Sequence, residues 1–314
     1  MHASDLNGQG REMGEYGSMR SDGWIGEHAI SYAAAEDSAP KQAVIRLVER
    51  LSGKQRIVRA YLDAQRALRS GDDIFAIAMR TLELSVVYDA RKLEAIPRTG
   101  PLVVVANHPF GVIDGLVLCH LIRLARPDFK VVAMSTLCRV PEVRDHVLPI
   151  NFAETRQAAQ TSAQSRRAAK RHLESGGCLI IFPAGAVSTA RRVFGPAEDG
   201  DWHPFVGRLV QSTRATTLPV YFRGQNSLMF QLASRISPTL RLSLLMQEAV
   251  RRIGTEIEVH VGRPIGFEQI GHLNDPKALT RQLRAETYAL SGDPRAGAFR
   301  HLGPHAVSST LLRH

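Results

Sequence analysis

The chain of 314 residues carries 40 Lys+Arg against 30 Asp+Glu, a formal net charge of +10, with hydrophobic residues at 44%. That apolar share is normal for a packed core, enough for one large domain or two small ones, and the positive balance favours an anionic partner. Aromatic residues at 6% leave little for base stacking, which argues against nucleic acid, and no run approaches the ~20 apolar residues of a spanning helix.

Residues 1–40 are rich in Gly, Ser, Asp and Glu, lack the apolar core of a signal peptide, and read as a flexible tail. From 41 to about 83 the period is helical. Val44, Ile45, Leu47, Val48 and Leu51 mark one face, and Ile57, Val58, Tyr61, Leu62 and Leu68 another. After a break at Ser70-Gly71-Asp72 the pattern resumes through Ile74, Phe75, Ile77, Ala78 and Leu82. A helical segment is therefore expected over 41–95. Its outer faces carry Arg46, Arg50, Lys54, Arg56 and Arg59, which fit a solvated surface or a lipid-facing one.

From Pro101 strands and helices alternate. Residues 102–106, 130–134, 178–182 and 218–222 are apolar on both faces, as central parallel strands are. Helices are expected over 115–126, 153–174 and 276–290. The second starts at a capping box of Asn151 with Glu154, ends at Gly176-Gly177, and is basic on its outside. The segment 228–246 fits core packing first and an apolar foot on a lipid surface second. "EIEVHVG" at 256–262 alternates and reads as a half-exposed edge strand. The sum is an α/β domain over 96–291, a central mostly parallel sheet flanked by helices, followed by a loose tail over 292–314. Cys119, Cys138 and Cys178 are too scattered for a metal or redox pair and read as reduced thiols of a cytoplasmic protein.

Ligand sites of open α/β sheets lie beyond the carboxyl ends of the strands. Three unusual segments fall there: "NHPFGVID" after the first of these strands, "FPAGAVS" at 182–188 and "FRGQNS" at 222–227. Parallel neighbours would bring them to one rim. His108 has Asp114 six positions on, and a carboxylate on one ring nitrogen fixes the tautomer of a general base. No Gly-x-Ser-x-Gly elbow and no His-Glu-x-x-His occurs, so the attacking atom would belong to a substrate. The spacing alone also allows an Asp114 that only serves the first turn of a helix and a His108 that only ends a strand.

The same residues resemble the glycerolipid (lysophospholipid) acyltransferase superfamily. Its first motif is Asn-His, four residues, then Asp. Its third is Phe-Pro-Glu-Gly-Thr-Arg-Ser, and a later strand carries Val-Pro-Val. Here Asn107-His108 with Asp114, "FPAGAVS" and "LPV" at 218–220 follow in that order over about 100–265. "HPFG" with five residues before the Asp, and "GQNS" later, are similar to the haemolysin-like branch. The resemblance implies transfer of a fatty acyl group from an acyl carrier protein or coenzyme A thioester to a lipid or lyso-lipid acceptor. His108 would be the base and Asp114 its orienting partner, with no metal and no cofactor beyond the thioester.

It further implies substrate contacts from Asn107, Phe110, Gly111, Phe182, Pro183, Gly185, Ser188, Arg191, Arg223, Asn226 and Ser227. Oxyanion donors would come from backbone amides near Gly185 or in the 107–111 loop. The expected partners are the acyl carrier protein or coenzyme A thioester, the acceptor and an anionic membrane surface, with the protein peripheral on the inner face of the cell membrane. Ala184 and Val187 stand where the family has the Glu and Arg that help bind a glycerol phosphate. The acceptor site is therefore expected to differ. Two alternatives remain: an N-acyltransferase of ornithine- or glycine-lipid synthesis, and a lipid-surface protein with a degenerate site.

Overall fold

A computed structural model describes residues 53–68, 72–151, 155–192, 194–292 and 299–302, with Ser38, Ala39, Gln42, Ala43 and Leu47. Helices α1 (Lys54–Ala67) and α2 (Ile74–Thr81) lead into β1 (Ser85–Asp89) and the short α3 (Ala90–Glu94). Next come β2 (Leu102–Ala106), α4 (Val112–Arg123), β3 (Phe129–Met134), β4 (Val147–Ile150), α5 (Arg156–Glu174) and β5 (Cys178–Ile181). A hairpin of β6 (Thr189–Ala190) and β7 (Ala197–Glu198) precedes α6 (Phe205–Thr213) and β8 (Thr216–Phe222). The chain continues through α7 (Leu228–Ile236), α8 (Pro238–Arg252), β9 (Glu256–Val261), α9 (Phe267–Ile270), α10 (Pro276–Ala289) and β10 (Phe299–Leu302).

The main sheet runs β10-β1-β9-β8-β2-β5-β3-β4. Strands β8, β2, β5, β3 and β4 are mutually parallel; β9 is antiparallel to β8 and parallel to β1. Strand β2 shows why its sequence is apolar throughout. Leu102, Val104 and Ala106 enter one core, under α2, α4 and Ala249 of α8. Val103 and Val105 enter the other, under α5, α6 and α10. Alternate residues point to opposite faces, so a strand covered on both sides needs apolar residues at every position.

The α/β architecture and its mostly parallel sheet agree with the sequence expectation. Four local readings do not. Strand β9 is not an edge: β1 and β8 flank it, and only its first residues stay open to solvent. Its partner β1 lies inside 41–95, which is therefore not helical beyond α2 apart from the single turn of α3. Residues 299–302, expected in a loose tail, pair with β1. Helix α5 is capped by Thr155, whose Oγ1 accepts the amide of Ala158 at 3.1 Å, rather than by Asn151. All of the expected tail at 1–40 but Ser38 and Ala39, most of the helical face at 44–51, Glu154, 293–298 and all of 303–314 lie outside the described residues.

The end of the sheet away from the site is tied by one side chain. Arg126 is 1% exposed and donates to the carbonyls of Pro97, Gly100 and Gly176 and to the Asp128 carboxylate. Those carbonyls belong to the turns that launch β2 and β5, so this buried cation sets where both strands begin. With the lower ends fixed in this way, the upper ends of β2, β5 and β8 rise side by side.

Candidate active site

The register places Ala106 of β2 beside Val220 of β8, and Val105 beside Ile181 of β5. The loops after these strands therefore meet at one rim. The first makes a sharp turn into α4. Gly111 has φ +79, which a side chain would strain, and its hypothetical Cβ would lie 3.4 Å from Val187. The turn brings Asp114, the third residue of α4, back under the loop. Its Oδ2 accepts the amides of Phe110 at 2.8 Å and Gly111 at 3.0 Å, and Nδ1 of His108 lies 3.0 Å away. Asp114 thus holds the first turn of its helix and bonds the imidazole, an arrangement compatible with both readings left open by the sequence.

Asp114 is wholly buried, whereas the His108 side chain is 20% exposed. Burial pushes the Asp114 carboxyl above the usual carboxylate range, against the opposing pull of His108 and the two amides. The ring of Phe182 stacks on the imidazole at 4.2 Å between centroids, with 29° between planes. The imidazole is therefore held on one edge by a carboxylate and on one face by an aromatic ring, with Nδ1 taken. That leaves Nε2 as the ring's proton acceptor.

The loop of residues 182–188 is stitched to this base. The amide of Ser188 donates to the carbonyl of His108 at 2.9 Å, and the amide of Gly185 closes a turn on the carbonyl of Phe182. A residue with no sequence motif completes the join. Asp199, 3% exposed, accepts the backbone amide of His108 at 3.1 Å and the hydroxyl of Ser188 on Oδ1. Its Oδ2 accepts the indole N–H of Trp202 at 2.8 Å. Tyr288 and Arg284 of α10 hold its backbone. Asp199 thus fixes both the strand-end loop and the 182–188 loop. Asp199→Ala is expected to lower kcat about 10²-fold, the cost of a base misplaced by roughly an ångström. Asp199→Asn, which keeps one acceptor oxygen, should recover part of it. Steady-state kinetics with thermal melts check this; unchanged kcat in a folded Asp199→Ala variant would count against the role.

Other expected contacts sit elsewhere. The Asn107 amide is engaged at the strand end: Nδ2 donates to the Phe222 carbonyl and Oδ1 accepts the Phe222 amide. It is 3% exposed and clamps β2 to β8. Phe110 is 2% exposed, covered by the Arg252 guanidinium at 4.0 Å and pressed close to Gly224, so it packs rather than binds. Ser188 is 1% exposed and spends its hydroxyl on Asp199. Ser227 caps α7 through the Phe230 amide and donates to the buried Glu248. These are corrections with one cause: a polar residue at a strand end often serves the backbone first.

Pro183 is buried and its carbonyl accepts the His203 amide. Gly185 and Arg191 are exposed, and Arg223 is exposed and paired with Glu258 at 3.2 Å. Asn226 is 1% exposed, and neither atom of its side-chain amide has a partner among the described residues. Of the expected oxyanion donors, the amides of His108, Phe110, Gly111 and Gly185 are all engaged.

Over 231 residues, 70% of this chain and 78% of the relative, the sequence is 24% identical to a lyso-glycine lipid O-acyltransferase of Phocaeicola vulgatus. A protein of the same description from Bacteroides thetaiotaomicron is 24% identical over 228 residues, 70% of this chain and 80% of the relative. Among solved structures, the 1-acyl-sn-glycerophosphate acyltransferase PlsC of Thermotoga maritima aligns with a TM-score of 0.41 and 16% identity, over 79% of this chain and 91% of that one. The acyltransferase family model matches residues 54–293, which takes in α1 through α10 and the whole rim around His108; the chain belongs to the acyltransferase family and is an acyltransferase enzyme.

Proposed function

We infer that the protein moves a fatty acyl group from a thioester, on acyl carrier protein or coenzyme A, to a hydroxyl of a lyso-lipid. The observation that carries this reading is the His108 imidazole, held at 3.0 Å by a buried Asp114 on a rim shared by three loops. The acceptor oxygen attacks the thioester carbonyl while Nε2 of His108 takes its proton. The tetrahedral intermediate collapses with cleavage of the C–S bond, and the thiolate leaves with the proton that the imidazolium returns. The amides of Ala186 and Val187 make no hydrogen bond among the described residues. They stand as the donors for the oxyanion, within the stretch near Gly185 that the sequence pointed to.

The relatives' description as lyso-glycine lipid O-acyltransferases supports a lipid acceptor, and O-acylation over the N-acylation alternative. The reading places the protein at the inner face of the cell membrane. The local chemistry argues against a phosphomonoester acceptor. Val187 packs towards Gly111, Ala184 lies against the core, and Arg223 is already paired. A phosphate dianion needs well-placed bidentate guanidinium donors. Lysophosphatidate is expected to give a specificity constant about 10-fold or more below that of a lyso-amino-acid lipid. A panel of acceptors tested with one acyl thioester checks it. If lysophosphatidate is best, and Arg191→Ala or Arg223→Ala removes that preference, this view of the acceptor is wrong.

A further inference from the structure

Helix α7 carries an apolar face that nothing in the described structure covers. Leu228, Met229, Leu232 and Ile236 are 44%, 42%, 41% and 76% exposed. At 3.6 residues per turn these four positions fall within about 100° of the helix circumference. The opposite side, Phe230, Gln231 and Ala233, is buried. Phe194, 89% exposed, lies in the loop between β6 and β7, and α7 grips that hairpin. Gln231 accepts the Ala190 amide at 2.8 Å, and Arg235 donates to the Arg191 carbonyl at 3.1 Å.

This face borders the active site. The hairpin begins one residue after Ser188, which is bonded to the carbonyl of His108. Helix α7 begins two residues after the buried Asn226. Arg191, Arg192 and Arg235 are exposed on the same hairpin and helix. An isolated apolar patch beside a site is often functional, and a rim of guanidinium groups selects a negatively charged partner. No described helix is long and apolar enough to cross a membrane. We propose that the Phe194 hairpin and the outer face of α7 dock the enzyme on an anionic lipid surface, with the apolar side chains in the interface and the arginines on the headgroups. The inference rests on the lipid-acceptor reading above: it sets the mouth of the site at the interface from which such an acceptor comes. The outer face of α5, with Arg166, Arg167 and Lys170 exposed, offers charge with no apolar residue to insert, and it is not the docking surface.

The test uses the full chain and vesicles of phosphatidylglycerol and phosphatidylcholine in equal parts, against phosphatidylcholine alone. The wild type is expected to prefer the anionic vesicles. Phe194→Ser with Ile236→Ser should weaken that binding about 10-fold or more, since each buried apolar side chain contributes strongly. Arg192→Ser with Arg235→Ser should remove most of the preference and its salt dependence. Arg166→Ser with Arg167→Ser on α5 should change binding less than about 3-fold. Wild-type binding by the Phe194/Ile236 variant, a larger loss from the α5 variant, or no vesicle binding by the wild type overturns the proposal. So does a wild-type dimer that the Phe194/Ile236 changes convert to monomer while vesicle binding is unchanged, because the face then joins two copies. Turnover of a short-chain, monomeric acceptor is measured in parallel and should not change in the Phe194/Ile236 variant. Failure of turnover in the wild type counts against the acyl-transfer reading, and failure of docking with turnover intact counts against this surface alone.

Discussion

Asp114→Asn lowers turnover by about 10³–10⁴-fold, as expected when the carboxylate that sets a catalytic imidazole's tautomer becomes an amide. The same change should leave the protein more stable at neutral pH. Asp114 is fully buried, and burial raises its carboxyl in the folded state above the value it has in the unfolded chain. A group shifted in that direction helps folding while it is protonated, and that help is fully present below the unfolded pKa. It is lost as pH rises through the folded pKa, beyond which the folded state carries a desolvated charge. Asparagine avoids that cost and can still accept the Phe110 and Gly111 amides. The melting temperature of Asp114→Asn should therefore exceed the wild type's at pH near 8. The gap should close as pH falls into the acid range. Melts across pH beside steady-state rates check both halves. A variant destabilised at neutral pH, or one with near-normal turnover, would contradict the role given to this carboxylate.

His108→Ala should remove at least about 10⁴-fold of the rate, since no second base is in contact with Asp114 among the described residues. The backbone bonds of His108 to Asp199 and Ser188 do not involve its side chain, so the loop keeps its course. What is lost is the base, its stacking on Phe182 and one donor to Asp114. A folded protein without turnover is the expected result, seen by circular dichroism and by thioester consumption with acceptor present.

The sheet's centre was legible because β2, β5 and β8 must be apolar on both faces, and that pattern survives in any context. Strand β9 was not, because alternation in Glu256 and Glu258 looks the same whether or not a neighbour pairs beyond it. Its neighbour β1 lies some 170 residues earlier. The pairing of His108 with Asp114 was legible as spacing, and the fold adds the reason: a positive-φ glycine folds the third helical residue back onto the histidine. The polar rim residues misled. Asn107, Ser188 and Ser227 all bond the protein itself, and a sequence does not show which partner a side chain has. Asp199 was missed for the same reason. It sits beyond the β6–β7 hairpin in no recognisable motif, and only the fold carries it back beneath the base.

The central claim is that His108 activates an acceptor held by the protein, with no acyl-enzyme on the way. The most direct measurement is a single turnover with labelled acyl thioester, run with and without a lyso-lipid, while the intact mass of the protein is followed. The wild type should transfer the label to the acceptor as an ester, show no acyl mass on the protein when acceptor is left out, and lose transfer in His108→Ala. Acylated protein that accumulates without acceptor and then passes its chain on, or undiminished transfer by His108→Ala, would contradict the account.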